Sequence, residues 1–73
     1  MNVKELKSEL EKYDEGFMVV VSGYEGGVNE IDSTQEVEIA LNVNTVEWYG
    51  KHEEVEEYNP YKEYTHTKAL YIH

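Results

Sequence analysis

The sequence predicts an α+β domain in which an N-terminal helix packs on a small, mostly antiparallel three-stranded sheet. Three observations predict it. Apolar residues near the N-terminus recur at helical spacing, residues 35–42 alternate with the period of a half-buried strand, and short β-rich runs stand at residues 17–21 and 69–72. The expected order is helix, strand, strand, long loop, strand, in a single domain spanning residues 1–73.

The helix is expected over about residues 3–14. Asn2 and Glu5 stand at the spacing of a capping box, in which Asn2 accepts from a free helix amide and Glu5 reaches back. Val3, Leu6, Leu10 and Tyr13 then share one helical face, with Lys4, Glu5, Lys7, Ser8, Glu9, Glu11 and Lys12 around it. Gly16 can adopt positive φ and is the expected stop. A helix this short is marginal alone in water, so its stripe needs a docking surface.

Phe17-Met18-Val19-Val20-Val21 is too short for a helix and reads as a strand buried on both faces. Gly23, Gly26 and Gly27 then open a loop containing Tyr24 and Glu25, with Val28 and Ile31 expected to tuck against the core. Over residues 35–42, Val37, Ile39 and Leu41 alternate with Glu36, Glu38 and Ala40, a pattern that places the second set on a wet face. Residues 43–49 either extend that strand or form their own. Residues 50–63 hold too little aliphatic material for a core element and read as a long loop, with one helical turn around residues 53–58. Ala69-Leu70-Tyr71-Ile72 closes the sheet in a strand beginning near Thr65. So small a sheet has two open edges, and a homodimer formed through edges or faces is one way to cover them.

Composition narrows the function. A chain of this length buries only about 60% of the surface its unfolded form exposes, and small scaffolds commonly add a disulfide, a metal or a partner. Cysteine is absent, which removes disulfides and thiolate zinc sites. Sixteen acids face six lysines and no arginine, for a net charge of −10. Such a surface repels phosphate backbones and anionic lipid heads, so neither direct nucleic-acid binding nor membrane binding is expected. Solubility alone accounts for such a charge, which otherwise favours basic partners. The acids concentrate in the middle: residues 25–63 hold eleven acids and two lysines, against five and three in residues 1–24. No apolar run approaches the ~20 residues of a membrane span. The opening Met-Asn-Val-Lys-Glu-Leu lacks the layout of a signal peptide, so the expected compartment is the cytoplasm.

The stretch Val3-Lys4-Glu5-Leu6, with Leu10, Asp14 and Val19-Val20-Val21-Ser22-Gly23-Tyr24-Glu25-Gly26-Gly27, resembles a group of short phage- and prophage-encoded bacterial proteins. Those chains open with a V-K-E-L-type helix and continue into V-V-V-x-G-Y-E-G-G. The resemblance covers the first third well and extends loosely through residues 37–42 and 69–72, whereas residues 44–66 depart from it. Where the group commonly has Asp-Pro at the helix end, this chain has Asp14-Glu15. The resemblance implies a small accessory protein of phage origin, acting in the host cytoplasm, and carries no mechanism.

Three constellations are candidates for chemistry. The 23–27 loop follows a strand, as phosphate-binding loops do, but no lysine follows it and Glu25 would repel an anion. A turn needing positive φ is the stronger reading; if the loop binds anything, Tyr24 and Glu25 are its contacts. His52-Glu53-Glu54-Val55-Glu56 imitates a zinc-protease helix with Glu in place of the second His. As a helix it would set His52 and Glu56 on one face near a divalent ion, with Glu53 or Glu57 alongside, yet it lacks an apolar face and reads better as a solvated charge run. These two places make a small-ligand or metal-binding protein the alternative function. Ser8, Ser22 and Ser33 have no histidine in a recognisable pattern, so no catalytic residue and no cofactor are expected.

The third constellation is Trp48, Tyr49, Tyr58, Tyr61 and Tyr64 interleaved with Glu47, Glu53, Glu54, Glu56, Glu57 and Glu63, of which Glu53, Glu54, Glu56 and Glu57 are the expected contacts. Trp and Tyr dominate interface hot spots, and acids beside them orient a basic partner. Any one of these rings can instead close over the sheet as a lid. Seven tyrosines and a tryptophan are more than a chain this small buries together. The leading expectation is therefore a non-enzymatic protein-binding module or inhibitor acting through residues 47–64.

Overall fold

The computed structural model describes every residue, Met1–His73. One helix, α1 (Val3–Leu10), is followed by β1 (Val20–Ser22), β2 (Val28–Glu30), β3 (Thr34–Ala40), β4 (Glu53–Glu54) and β5 (His66–Ile72). The fold class is α+β, with antiparallel sheets of two and three strands. Contacts gather into two units, Met1–Ser33 with Ile72–His73, and Thr34–Tyr71.

In the first unit the capping box is complete. The Glu5 N–H donates to Asn2 Oδ1 at 2.8 Å, and the Asn2 N–H donates to Glu5 Oε1 at 3.2 Å. The helix ends four residues earlier than its periodicity predicts. The Lys12 and Tyr13 amides turn to the Glu9 and Leu10 carbonyls, tightening the last turn. Asp14 Oδ1 then accepts from the Gly16 N–H at 2.8 Å, a local bond that competes with helical continuation. Gly16 is therefore held by Asp14 rather than acting as a left-handed cap. Leu6 is half-buried, whereas Val3, Leu10 and Tyr13 keep more than half their surface accessible.

The run at residues 17–21 is not the buried strand its composition predicts. Only Val20 and Val21 enter β1, and Phe17 and Met18 are 65% and 68% exposed. β1 pairs antiparallel with β2 in the register Val20↔Glu30, Val21↔Asn29 and Ser22↔Val28, so the segment after the glycine loop forms a hairpin rather than a plug. Val28 is exposed and Ile31 half-buried. The loop does need unusual backbone: Glu25, Gly26 and Gly27 all have positive φ. Gly23 is required for space, because a Cβ there would lie 2.5 Å from the Gly26 carbonyl oxygen.

In the second unit β3 is central, in the order β4-β3-β5. Its alternation is largely as the sequence predicts: Val37 is buried, Ile39 half-buried, and Glu36 and Glu38 exposed. Ala40 departs from the pattern. Expected on the wet face, it has no accessible surface at all. Val37 and Ala40 are the buried apolar residues, and no large side chain is fully buried. Residues 43–49 neither extend β3 nor form a strand of their own; they are irregular, with one turn at 46–49. The helical turn expected at residues 53–58 is absent, because Glu53 and Glu54 pair with Ala40 and Ile39 as β4, and the Val55 N–H donates to the Glu38 carbonyl at 2.8 Å. Two glutamates are poor strand formers by themselves. The free edge of β3 supplies the backbone partners that override that preference. β5 is as expected, and Lys68 and Glu36 form an exposed ion pair at 3.2 Å, of a kind that adds little stability.

Candidate protein-binding surface

The candidate surface grows from the excursion between β3 and β5. β3 ends where Asn42 takes a left-handed conformation (φ 57), which Asn tolerates better than most residues. The Asn42 N–H donates to His52 Nδ1 at 2.8 Å, and the Leu41 N–H to the Thr65 carbonyl at 2.8 Å. These bonds fasten both ends of the excursion.

Asn44 organises the first loop. Its backbone N–H donates to the Lys51 carbonyl at 3.0 Å, and its side-chain amide donates to the Gly50 carbonyl at 2.7 Å and to Glu53 Oε1 at 2.8 Å. The Tyr49 N–H closes a turn onto the Val46 carbonyl at 3.3 Å. The result is a cinched loop whose outer part carries Glu47, Trp48 and Tyr49. Trp48 is 85% exposed, and Tyr49 is exposed as well. An open hollow, lined in part by Asn44, Val46, Tyr49 and Lys51, runs along this loop.

The second loop leaves β4 at Val55. Glu56, Glu57 and Tyr58 are exposed, Tyr58 to 83%. Asn59 Oδ1 then accepts from the Tyr61 N–H at 2.9 Å across Pro60, an Asx turn that reverses the chain. The Tyr64 N–H donates to the Tyr61 carbonyl, and the two rings meet edge to face with centroids 6.3 Å apart. Tyr61 is half-buried and Tyr64 is 40% exposed, so this pair combines a packing role with an accessible edge.

The rings expected to act together therefore divide. Trp48, Tyr49 and Tyr58 stand outward on two loops, whereas Tyr61 and Tyr64 support the second loop. The acids divide likewise. Glu54, Glu56 and Glu57 are exposed, but Glu53 is half-buried with Oε1 bonded to Asn44. No sequence motif marks Asn44. Its role becomes visible only when Gly50 and Glu53 lie beside it.

The other two constellations have other geometry. Since residues 53–54 are a strand, His52 and Glu56 do not share a helical face, and His52 Nδ1 is engaged by the Asn42 N–H. No three His, Asp or Glu side chains are grouped so as to hold a metal ion. In the first unit the Gly23 N–H is spent on the Gly27 carbonyl at 3.0 Å, while Tyr24 and Glu25 project from the hairpin tip into solvent. No helix is long and apolar enough to cross a membrane. No family model matches the chain, and neither a curated protein nor a solved structure matches it.

Proposed function

We propose that the chain is a non-enzymatic protein-binding module that engages a basic partner through residues 47–64. The observation that carries this reading is the exposure of Trp48 and Tyr58, two large rings on hydrogen-bonded loops, together with the exposure of Glu54, Glu56 and Glu57 in the segment that leads to Tyr58. Leaving such rings in water gains the fold nothing, whereas a partner would gain contact area at little cost in rotamer entropy. Carboxylates on ordered loops can also stand in for phosphates, which suits an inhibitor seated in a basic, nucleic-acid-binding groove. The resemblance of residues 3–27 to short phage proteins fits an accessory protein working in the host cytoplasm.

The test is affinity capture from the host cytosol with the wild type and with an E54Q/E56Q/E57Q variant. Glu53 is left intact because of its bond to Asn44. The reading predicts that the variant loses the captured partner at moderate salt and that wild-type capture weakens steeply as salt rises. Identical partners with identical salt dependence would refute the electrostatic part of the proposal.

A further inference from the structure

Of the bonds that close the loop carrying Trp48, one depends on a proton. The Asn42 N–H donates to His52 Nδ1 at 2.8 Å, where the chain leaves β3 and returns to β4. A backbone N–H can only donate, so Nδ1 is the bare nitrogen of a neutral ring and the ring hydrogen sits on Nε2. An imidazolium carries hydrogen on both nitrogens and has no acceptor left. The other closing bonds run from Asn44 to the Lys51 and Gly50 carbonyls and to Glu53 Oε1, and none of them uses an imidazole. Histidine is the side chain whose charge ordinarily changes between about pH 5 and 8.

Two further features give this bond a consequence. Asn42 holds a left-handed backbone (φ 57), a conformation that persists where surrounding contacts hold it. His52 is itself exposed, so protons reach it freely. The charged and titratable residues in the segments around it are Lys51, Glu53 and Glu54 in its own strand and turn, Glu38 on β3, Glu47 on the loop, and His66 beyond Thr65. None of them forms an ion pair with the ring, and the Asn42 N–H is the group bonded to it. We infer that His52 is a proton-operated clasp at the base of the Trp48 loop. The neutral ring fastens Asn42, and the protonated ring releases it. The clasp is closed above the imidazole range and opens as pH falls through that range. It adds regulation to the binding surface of residues 47–64, and rests on that reading only for its consequence, weaker partner binding in acid.

The experiment is an acid titration of the free, full chain from about pH 8 to about pH 5. Magnetic resonance of the His52 ring nitrogens and amide exchange at Asn42, corrected for its intrinsic pH dependence, are the readouts. At the upper end the ring should carry its hydrogen on Nε2 alone. Exchange at Asn42 should rise about two- to tenfold across the titration, the range that one hydrogen bond supplies, with unchanged far-UV circular dichroism. His52→Asn retains His66, His73 and every acid but has nothing to protonate at this position. Its Asn42 exchange should be flat over the same range, whether or not the new amide oxygen takes up the bond. A neutral ring with its hydrogen on Nδ1 overturns the inference. So does wild-type exchange that fails to rise, or a rise of equal size in His52→Asn. These readouts need no partner, so a clasp that opens on schedule while affinity capture fails would refute the binding reading alone.

Discussion

The side-chain amide of Asn44 and the carboxylate of Glu53, 2.8 Å apart, tie the loop that carries Trp48 to the first residue of β4. The same amide holds the Gly50 carbonyl at 2.7 Å, so one uncharged side chain closes the loop at two points. Replacing Asn44 by Ala removes both bonds and leaves a half-buried carboxylate without that donor. The expected loss of stability is about 1–3 kcal/mol, read from urea denaturation. The variant should also bind the partner more weakly although Asn44 itself need not touch it.

Trp48→Ala and Tyr58→Ala should behave in the opposite way. Both side chains stand mostly in water, so each substitution should change stability by no more than about 0.5 kcal/mol. Removal of an interface anchor costs about 2 kcal/mol or more, and each variant should lose at least about tenfold in partner affinity by titration calorimetry. Equal and large losses of stability would show instead that the rings support the fold.

Ala40 is the most enclosed residue of the second unit and lies opposite Glu53 in the β3–β4 ladder. Ala40→Leu adds three carbons at a position with no accessible surface. Destabilisation of about 1–3 kcal/mol is expected, measurable as a lower thermal midpoint, with β4 the first region to lose amide protection.

Gly23→Ala tests the hairpin. The new Cβ would meet the Gly26 carbonyl oxygen at 2.5 Å, and that oxygen is backbone rather than a flexible side chain. The loop must open, breaking the Gly23–Gly27 bond and loosening β1 from β2. Amide exchange at Val21 and Asn29 should accelerate, while residues 34–71 keep their wild-type rates.

What could be read from the sequence follows from how local each signal is. The capping box is contained within four residues, and both of its bonds are present. The alternation in residues 35–42 is a period-2 pattern long enough to define β3 and its Val37 face. By contrast, residues 17–21 form an apolar run without a period. Such a run records hydrophobicity but not what covers it, and here every residue of it is exposed. Glu53 and Glu54 carry no strand signal because a two-residue strand is specified by its partner, here Ile39 and Ala40. Gly16 misled for a similar reason: a glycine signals a helix stop only if the helix reaches it, and the Asp14 carboxylate acts first. At the candidate surface, residue type marks Trp48, Tyr49, Tyr58, Tyr61 and Tyr64 alike as candidates and does not say which of them stand in water. The separation of Tyr61 and Tyr64 into supporting roles required their turn geometry, and the anchoring role of Asn44 required the fold.

Trp48 is the only tryptophan in the chain, so its fluorescence reports on one site without ambiguity. The most direct test of an outward-facing aromatic surface is the emission and acrylamide quenching of the free, folded protein. Emission close to that of an indole in water, with nearly unrestricted quenching, is the expected result, shifting to the blue when the partner binds. A blue-shifted, quencher-protected Trp48 in the unbound protein would contradict the account.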